Sequence, residues 1–334
     1  MPSPGITVAV TGPTGDIGRS LVRALERSRE VGRIVGMGRR PFDPASEGLR
    51  KTDYLQGDVL DRTAVTRLID GADVVVHLAF LIMGSTDESR RVNLDGSRNV
   101  FEATVAAGAK RLVYTSSVAA YGYHSDNLVP LTEQTPVRGS AEHYYSEQKA
   151  ACEAVLAETT DGTSLEVFVL RPCIVAGPKA TALADAMPWN SLPAALRSAT
   201  KAVSVLKPPF PDPGTPMQLI HHDDVAAAIA LAASTCAPAG IYNIAGDGEV
   251  SLSDVATALG ARPVRVPAVT ATIASAVIAR LPFLPSSTEW LHAGRTSVVM
   301  DISKAKSVLG WAPRYTAVET LQAMASTVVQ RENV

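Results

Sequence analysis

A doubly wound α/β fold, a parallel sheet with a smaller C-terminal lobe interleaved, is what this sequence predicts. Three observations predict it. Short β-branched runs alternate with longer helical stretches through about the first 170 residues. A glycine-rich run separates the first of these strands from the first helix. The alternation then breaks at Arg171-Pro172. Near-continuous apolar strands separated by helices mark a parallel sheet covered on both faces. Right-handed crossovers then wind it in both directions.

Residues 6–10 predict a strand and 17–27 a helix. Residues 33–36 and 53–56 predict strands, 61–70 a helix and 74–78 a strand. The next pairs are helix 90–107 with strand 111–115, and helix 144–157 with strand 166–170. From Arg171 to about Pro216 prolines and small residues dominate, and proline denies both helix and ladder a donor. Helix 223–234 and strand 240–244 resume the pattern. A further helix over 251–259 starts at Ser251 with Asp254 three residues on, like a capping box. Residues 1–172 are expected to form the main domain, its sheet completed by parts of 217–245. Residues 173–334 mainly form the second lobe.

Bulk properties exclude several classes. A chain of 334 residues buries a full core. With 46% apolar and 19% charged residues it is globular. Its 31 basic residues against 33 acidic ones offer no field to nucleic acid or an anionic membrane. Cys152, Cys173 and Cys236 are too few and scattered for a disulfide framework or zinc site, and suit a reducing cytosol. The start shows no basic segment before a long apolar core, so no signal peptide is expected. The apolar stretch 266–279 is short of the roughly 20 residues a spanning helix needs. A cytoplasmic location, away from membranes, is therefore expected.

The run Thr11-Gly12-Pro13-Thr14-Gly15-Asp16-Ile17-Gly18 suits a pyrophosphate. Glycine allows the tight turn and close approach of backbone N–H groups, and the helix N-terminus adds positive charge. An acid about 20 residues beyond the last glycine would meet a ribose 2′-hydroxyl. Here the chain reads Gly36-Met37-Gly38-Arg39-Arg40 instead. Guanidinium forks suit a 2′-phosphate, so NADP(H) is favoured, with NAD(H) left open. Asp58-Val59, after the third strand, is a candidate adenine contact, though Asp58 equally suits a turn or cap.

Tyr145 and Lys149 lie four apart, on one helix face. An ammonium near a phenol lowers its pKa from about 10, and such a tyrosine moves a proton to or from an oxygen. Tyr144 points elsewhere. Ser116-Ser117 follows a strand at the sheet edge where such folds bind ligands, and a hydroxyl there can hold a reacting oxygen.

This ordered set resembles the extended short-chain dehydrogenase/reductase family, which includes nucleotide-sugar 4-epimerases, dehydratases and 3β-hydroxysteroid dehydrogenases. Besides the runs above, His77-Leu78-Ala79, Asn93, Tyr121-Gly122, Arg171-Pro172 through Gly177-Pro178, His222-Asp223-Asp224-Val225 and Leu309-Gly310-Trp311-Ala312-Pro313 carry the likeness. The resemblance implies a Rossmann nucleotide domain and a substrate-binding second lobe. It implies Ser117 as the hydroxyl residue, Tyr145 as acid/base, and Lys149 as its tuner and a nicotinamide-ribose ligand. It places Thr14, Asp16, Ile17, Leu78 and Ala79 beside the cofactor, and Pro172 and Val175 near the nicotinamide. Phe80, Met83 and Val118 join Ser117 and Tyr145 as substrate contacts. It also implies a homodimer through helices 90–107 and 144–157, where Ala103, Ala106, Ala107, Ala150 and Ala151 permit close packing.

The chain departs from two family branches. Residues 171–178 lack the asparagine by which epimerases meet a diphosphate-sugar. Val118-Ala119 replaces the dehydratases' Asp-Glu pair. Residues 80–83 and 182–193 are mainly apolar, fit either for an apolar carbonyl compound or for ordinary core. His124, His143, His221 and His222 show no metal spacing, so no metal is expected. The leading expectation is an NADP-dependent oxidoreductase on a small-molecule alcohol or ketone. Hydride moves to or from nicotinamide C4 while Tyr145 handles the proton. The alternatives are a 4-epimerase with tightly bound NAD, and a non-enzymatic nucleotide sensor.

Overall fold

The computed structural model describes residues 5–82, 86–185, 187, 207–266 and 296–332. Met83 and most of the two apolar stretches, 188–193 and 267–279, lie outside the described residues.

Seven strands form one parallel sheet. They are β1 (Ile6–Thr11), β2 (Val31–Gly38), β3 (Thr52–Gln56), β4 (Val74–His77), β5 (Arg111–Thr115), β6 (Glu166–Pro172) and, last, β10 (Gly240–Ile244). Their order across the sheet is β10-β6-β5-β4-β1-β2-β3. The chain winds outward from β1 through β2 and β3, then outward the other way from β4. The switch between β1 and β4 opens a crevice at the C-terminal strand ends, where such sheets take ligands. Thr11 and His77 are register partners at that point.

Alternate residues of each strand feed two cores. Val8, Val10, Val74 and Val76 face α1 (Asp16–Arg27) and α7 (His222–Ser234), with Leu21, Leu25, Val225 and Ile229. Ala9, Val75 and Leu112 face the other way. There they meet Leu68 of α2 (Arg62–Ile69), Phe101 of α4 (Gly96–Ala106) and Leu156 of α5 (Tyr144–Thr160). Each fully buried aliphatic contributes about 1.5–3 kcal/mol against exposure, so burial on both faces holds the strands in register. Asp61 caps α2 by accepting from the Thr63 and Ala64 amides.

A third core serves the smaller lobe. It gathers α6 (Ala182–Asp185), α8 (Leu252–Ala258) and α9 (Ala317–Glu332) around two strand pairs. These are β7 (Ile174–Ala176) with β9 (Leu219–His221), and β8 (Pro209–Asp212) with β11 (Arg262–Arg265). Ser251 and Asp254 form the full capping box of α8.

The single helix expected over 90–107 is in fact three pieces. α3 (Thr86–Arg90) and α4 flank a wide turn at Arg91–Asp95. The turn carries Asn93, whose side chain is committed elsewhere. Its Oδ1 accepts from the Leu81 amide at 2.7 Å, and its Nδ2 donates to Gln148 Oε1 at 2.7 Å. Gly96 lets the next turn close onto Val59, since a Cβ there would lie 2.5 Å from a Val59 methyl. Among the described residues no helix is long and apolar enough to cross a membrane.

Candidate active site

The glycine loop closes the β1 end of the crevice. Gly12 has φ +72°, and a Cβ on it would meet the Ala79 amide at 3.1 Å. A Cβ on Gly18 would lie 2.1 Å from the Gly12 carbonyl, so only glycine lets α1 pack onto the loop. Gly15 differs: a Cβ there would meet nothing nearer than 3.6 Å. Gly15 is the N-cap of α1, and no side chain caps it. The N-terminus of α1 therefore carries no side-chain cap, as an anion at a helix N-terminus requires. This cradle fits a dinucleotide pyrophosphate, with Thr14, Asp16 and Ile17 flanking it.

The loop is fastened across the crevice. Thr11 Oγ1 accepts from the Leu78 and Ala79 amides, each at 3.1 Å, and bonds His77 Nδ1 at 2.8 Å. His77 Nε2 bonds Ser97 Oγ at 2.9 Å. Burial, aided by the Lys149 charge, pulls His77 down to about 3, so it is neutral. Ala79 therefore lies against the glycine loop.

Arg39 and Arg40 follow the C-terminal end of β2. Their carbonyls accept from Gln56 Nε2 at 3.0 Å and from the Tyr54 hydroxyl, respectively. Both side chains are exposed, and neither has an ion-pair partner among the described residues. Nearby Arg19, Arg23 and Arg33 are instead paired with Glu47 or Asp53. Asp58 takes its turn role: Oδ1 accepts from the Leu60 amide at 3.0 Å. Val59 buries its side chain in the second core.

Across the crevice, Tyr145 and Lys149 sit in the first turns of α5, below the β5 end. The Ser117 side chain lies beside the Tyr145 phenol, and its Oγ accepts from the Ala119 amide at 3.2 Å. Lys149 Nζ donates to the Thr115 carbonyl at 2.9 Å. Its ammonium lies 3.6 Å from the Phe80 ring centroid and 5.9 Å from that of Tyr145. Phe80 meets Tyr145 edge-on at 5.5 Å between centroids. The structure so brings together Ser117, Tyr145, Lys149 and Phe80. Tyr144 turns away and donates to the Ile82 carbonyl. Val118, expected at the substrate, packs into the first core at 4% exposure. Pro172 ends β6, and Val175 sits in β7, opposite Ile220.

Two charge states differ from a simple tyrosine–lysine picture. Burial raises the Tyr145 phenol above its ordinary value, Ser117 pulls it back, and Tyr144 raises it further. The expected lowering by Lys149 is not what the geometry delivers. The ammonium spends its charge on the Thr115 carbonyl and the face of Phe80. Burial pulls Lys149 itself to about 8, against the opposing charges of Cys152 and Glu153. Near neutral pH Tyr145 keeps its proton and Lys149 is mostly charged.

The model of the NAD dependent epimerase/dehydratase family matches residues 8–245, which hold all of this site. The chain belongs to that family. A Sinorhizobium fredii relative, y4nG, is 28% identical over 92% of this chain and 75% of its own length. A Mycobacterium tuberculosis relative is 29% identical over 94% of this chain, which spans only 29% of that protein. The 3 beta-hydroxysteroid dehydrogenase/Delta 5-->4-isomerase of vaccinia virus is 29% identical over 51% of this chain and 52% of its own. Among solved structures, an Agrobacterium tumefaciens short-chain dehydrogenase/reductase superfamily protein with bound NAD superposes at TM-score 0.71. It has 21% identity over 97% of this chain and 98% of its own. The Thermotoga maritima UDP-glucose 4-epimerase gives 0.70 and 19% over 98% and 99%. These structures share the fold. Membership makes this a nicotinamide-dinucleotide-dependent epimerase or oxidoreductase.

One feature of this epimerase/dehydratase-family site, Glu153, lay outside the sequence reading, and another, at His221 and His222, departs from the expectation that these histidines show no metal spacing. Glu153, one turn beyond Lys149, holds Ser116 and Arg171; its i+4 spacing was the available signal. His221, His222 and Asp223 bring ligand atoms within 4.8 Å of one another at the start of α7. Hydrogen bonds account for both Nδ1 atoms: His221 accepts from the Asp223 amide at 3.2 Å, and His222 bonds Ser20 at 3.0 Å.

Proposed function

We propose that the chain is an NADP(H)-dependent oxidoreductase that reduces the carbonyl of a moderately apolar small molecule to an alcohol. The observation that carries this is the Tyr145 phenol beside Ser117 at the C-terminal ends of the strands, with Lys149 one turn on. The nicotinamide, when bound, supplies the hydride. Ser117 holds the substrate oxygen, and Tyr145, protonated at neutral pH, delivers a proton to it. Lys149 contributes a charged donor for the ribose. Phe80 gives the site an aromatic wall that favours an apolar substrate over a sugar.

Arg39 and Arg40 support NADP(H) over NAD(H). Two exposed guanidinium groups without ion-pair partners among the described residues, one strand from the glycine loop, suit a 2′-phosphate. The NAD in the Agrobacterium structure belongs to that protein.

The test begins by denaturing the purified protein and identifying any released nucleotide by mass. Stripped protein is then titrated with NADPH and NADH. NADPH is expected to bind more tightly, and Arg39→Ala with Arg40→Ala to weaken NADPH about tenfold or more while leaving NADH unchanged. NAD retained near one per chain would sink this reading and favour an epimerase that does not consume its cofactor. Consumption of NADPH with a panel of ketones and aldehydes completes the test.

A further inference from the structure

Glu153 lies four residues beyond Lys149 and eight beyond Tyr145, on the same face of α5. Its side chain is only 10% exposed, and that of its partner Arg171 is 2% exposed. One carboxylate oxygen accepts from Ser116 Oγ at 2.5 Å and from Arg171 Nε at 2.9 Å. The other accepts from Arg171 Nη2 at 2.5 Å. Ser116 immediately precedes Ser117, and Arg171 immediately precedes Pro172. The Arg171 guanidinium also covers the Tyr121 ring at 4.5 Å, and the Tyr121 hydroxyl donates to Asn243 of β10 at 2.7 Å. One buried carboxylate therefore joins the helix that carries Tyr145 and Lys149 to the ends of β5 and β6.

A buried ion pair is a poor device for stability, because desolvation offsets most of its attraction. Apolar residues of the same volume would hold these elements at least as firmly. They would not fix the direction of the Ser116 hydroxyl, nor place a negative charge one turn from Lys149. The charged and titratable groups facing Glu153 are Arg171 from β6, Lys149 and Cys152 from its own helix, and the Tyr114 phenol from β5.

We propose that Glu153 is a positioning residue for the Ser117–Tyr145–Lys149 cluster, aligning α5 with the strand ends that hold Ser117 and Pro172. This rests on the oxidoreductase reading of the same site. Glu153 touches none of the three proposed catalytic side chains in a hydrogen bond. It acts through Ser116 and Arg171 on one side and through the backbone of α5 on the other.

The test compares Glu153→Gln and Glu153→Asp with the wild-type enzyme. Three quantities are read: kcat and KM for carbonyl reduction, the NADPH dissociation constant, and the Tyr145 phenol titration. The titration is isolated by ultraviolet difference against Tyr145→Phe. Glu153→Gln is expected to lower kcat about tenfold to a hundredfold, with NADPH affinity held within about threefold, because misalignment falls on the chemical step. It removes a negative charge and leaves Arg171 unbalanced, so the phenol should titrate about half a pH unit lower or more. Glu153→Asp keeps the charge. Its phenol should titrate like the wild type while kcat falls. A Glu153→Gln protein with a lower Tm but unchanged kcat and phenol titration overturns the proposal. If Glu153→Gln does not fold, the double variant Glu153→Gln with Arg171→Gln removes both charges together. Wild-type kcat in that variant overturns the proposal equally. The phenol titration needs no substrate. Should the wild type transfer no hydride to any carbonyl while Glu153→Gln still shifts the titration, the oxidoreductase reading fails and the positioning role stands.

Discussion

At the scale of single residues the site turns on one pair, Tyr145 and Lys149, and on what surrounds them. Their spacing was plain in the sequence, because four residues on a helix always share a face. Their proton affinities were not. Those depend on Phe80, brought 69 positions along the chain to lie over the Lys149 ammonium, and on the Thr115 carbonyl that takes its hydrogen bond. A phenol raised by burial and an ammonium pulled to about 8 suit proton delivery near neutral pH. Tyr145→Phe removes the proton and should cut carbonyl reduction about 10²- to 10⁴-fold while NADPH binding stays within about twofold. In the wild type, reduction should fall as pH rises through about 8, where Lys149 loses its charge. A pH–rate profile checks this directly; a flat profile from pH 7 to 9 would remove Lys149's charge from the mechanism.

At the scale of elements, the strand–glycine–helix unit was legible because its three glycines do different, local jobs. Gly18 serves packing, while Gly15 leaves the start of α1 uncrowded, a distinction only the folded chain draws. Gly18→Ala drives a methyl to 2.1 Å from a backbone carbonyl and should destabilise the fold by about 3 kcal/mol or more. Gly15→Ala meets nothing nearer than 3.6 Å and should leave stability within about 0.5 kcal/mol. Its methyl sits at the uncapped N-terminus of α1, so NADPH binding should weaken markedly. Urea unfolding and nucleotide titration on the two variants separate the jobs. Equal loss of stability in both would show that the loop is purely structural. The elements that escaped the sequence reading share a reason. β7, β8, β9 and β11 run three or four residues, and β8 and β11 contain prolines. Too short to show a period, they exist because partners distant in sequence pair with them. The wide turn at Arg91–Asp95 was equally hidden, since its cause is Asn93 reaching Leu81 and Gln148.

At the scale of the whole molecule, two buried histidines couple the fold to pH. His77 ends β4 at the switch point, and His221 ends β9 and caps α7, which packs against α1. Burial lowers His77 to about 3, helped by the charge of Lys149. Burial also lowers His221 to about 4, with His222 adding to the fall and Asp223 opposing it. In the unfolded chain each takes up a proton near pH 6.5. Between that pH and its folded value the unfolded state binds the extra proton, so stability is complete above about 6.5 and is lost as pH falls. Each histidine contributes at most roughly 1.4 kcal/mol per pH unit, or about 2.7 kcal/mol per unit for the pair between about pH 6 and 4. Urea midpoints measured at pH 7, 6 and 5 should drop steeply across the last interval. His221→Asn should roughly halve the slope, because it removes one titrating group and leaves His77 inside the sheet. A wild-type midpoint unchanged from pH 7 to 5 would mean that His77 and His221 accept protons in the folded state. The Thr11–His77–Ser97 chain that fastens the glycine loop would then have to tolerate a charged imidazole between β1 and α4.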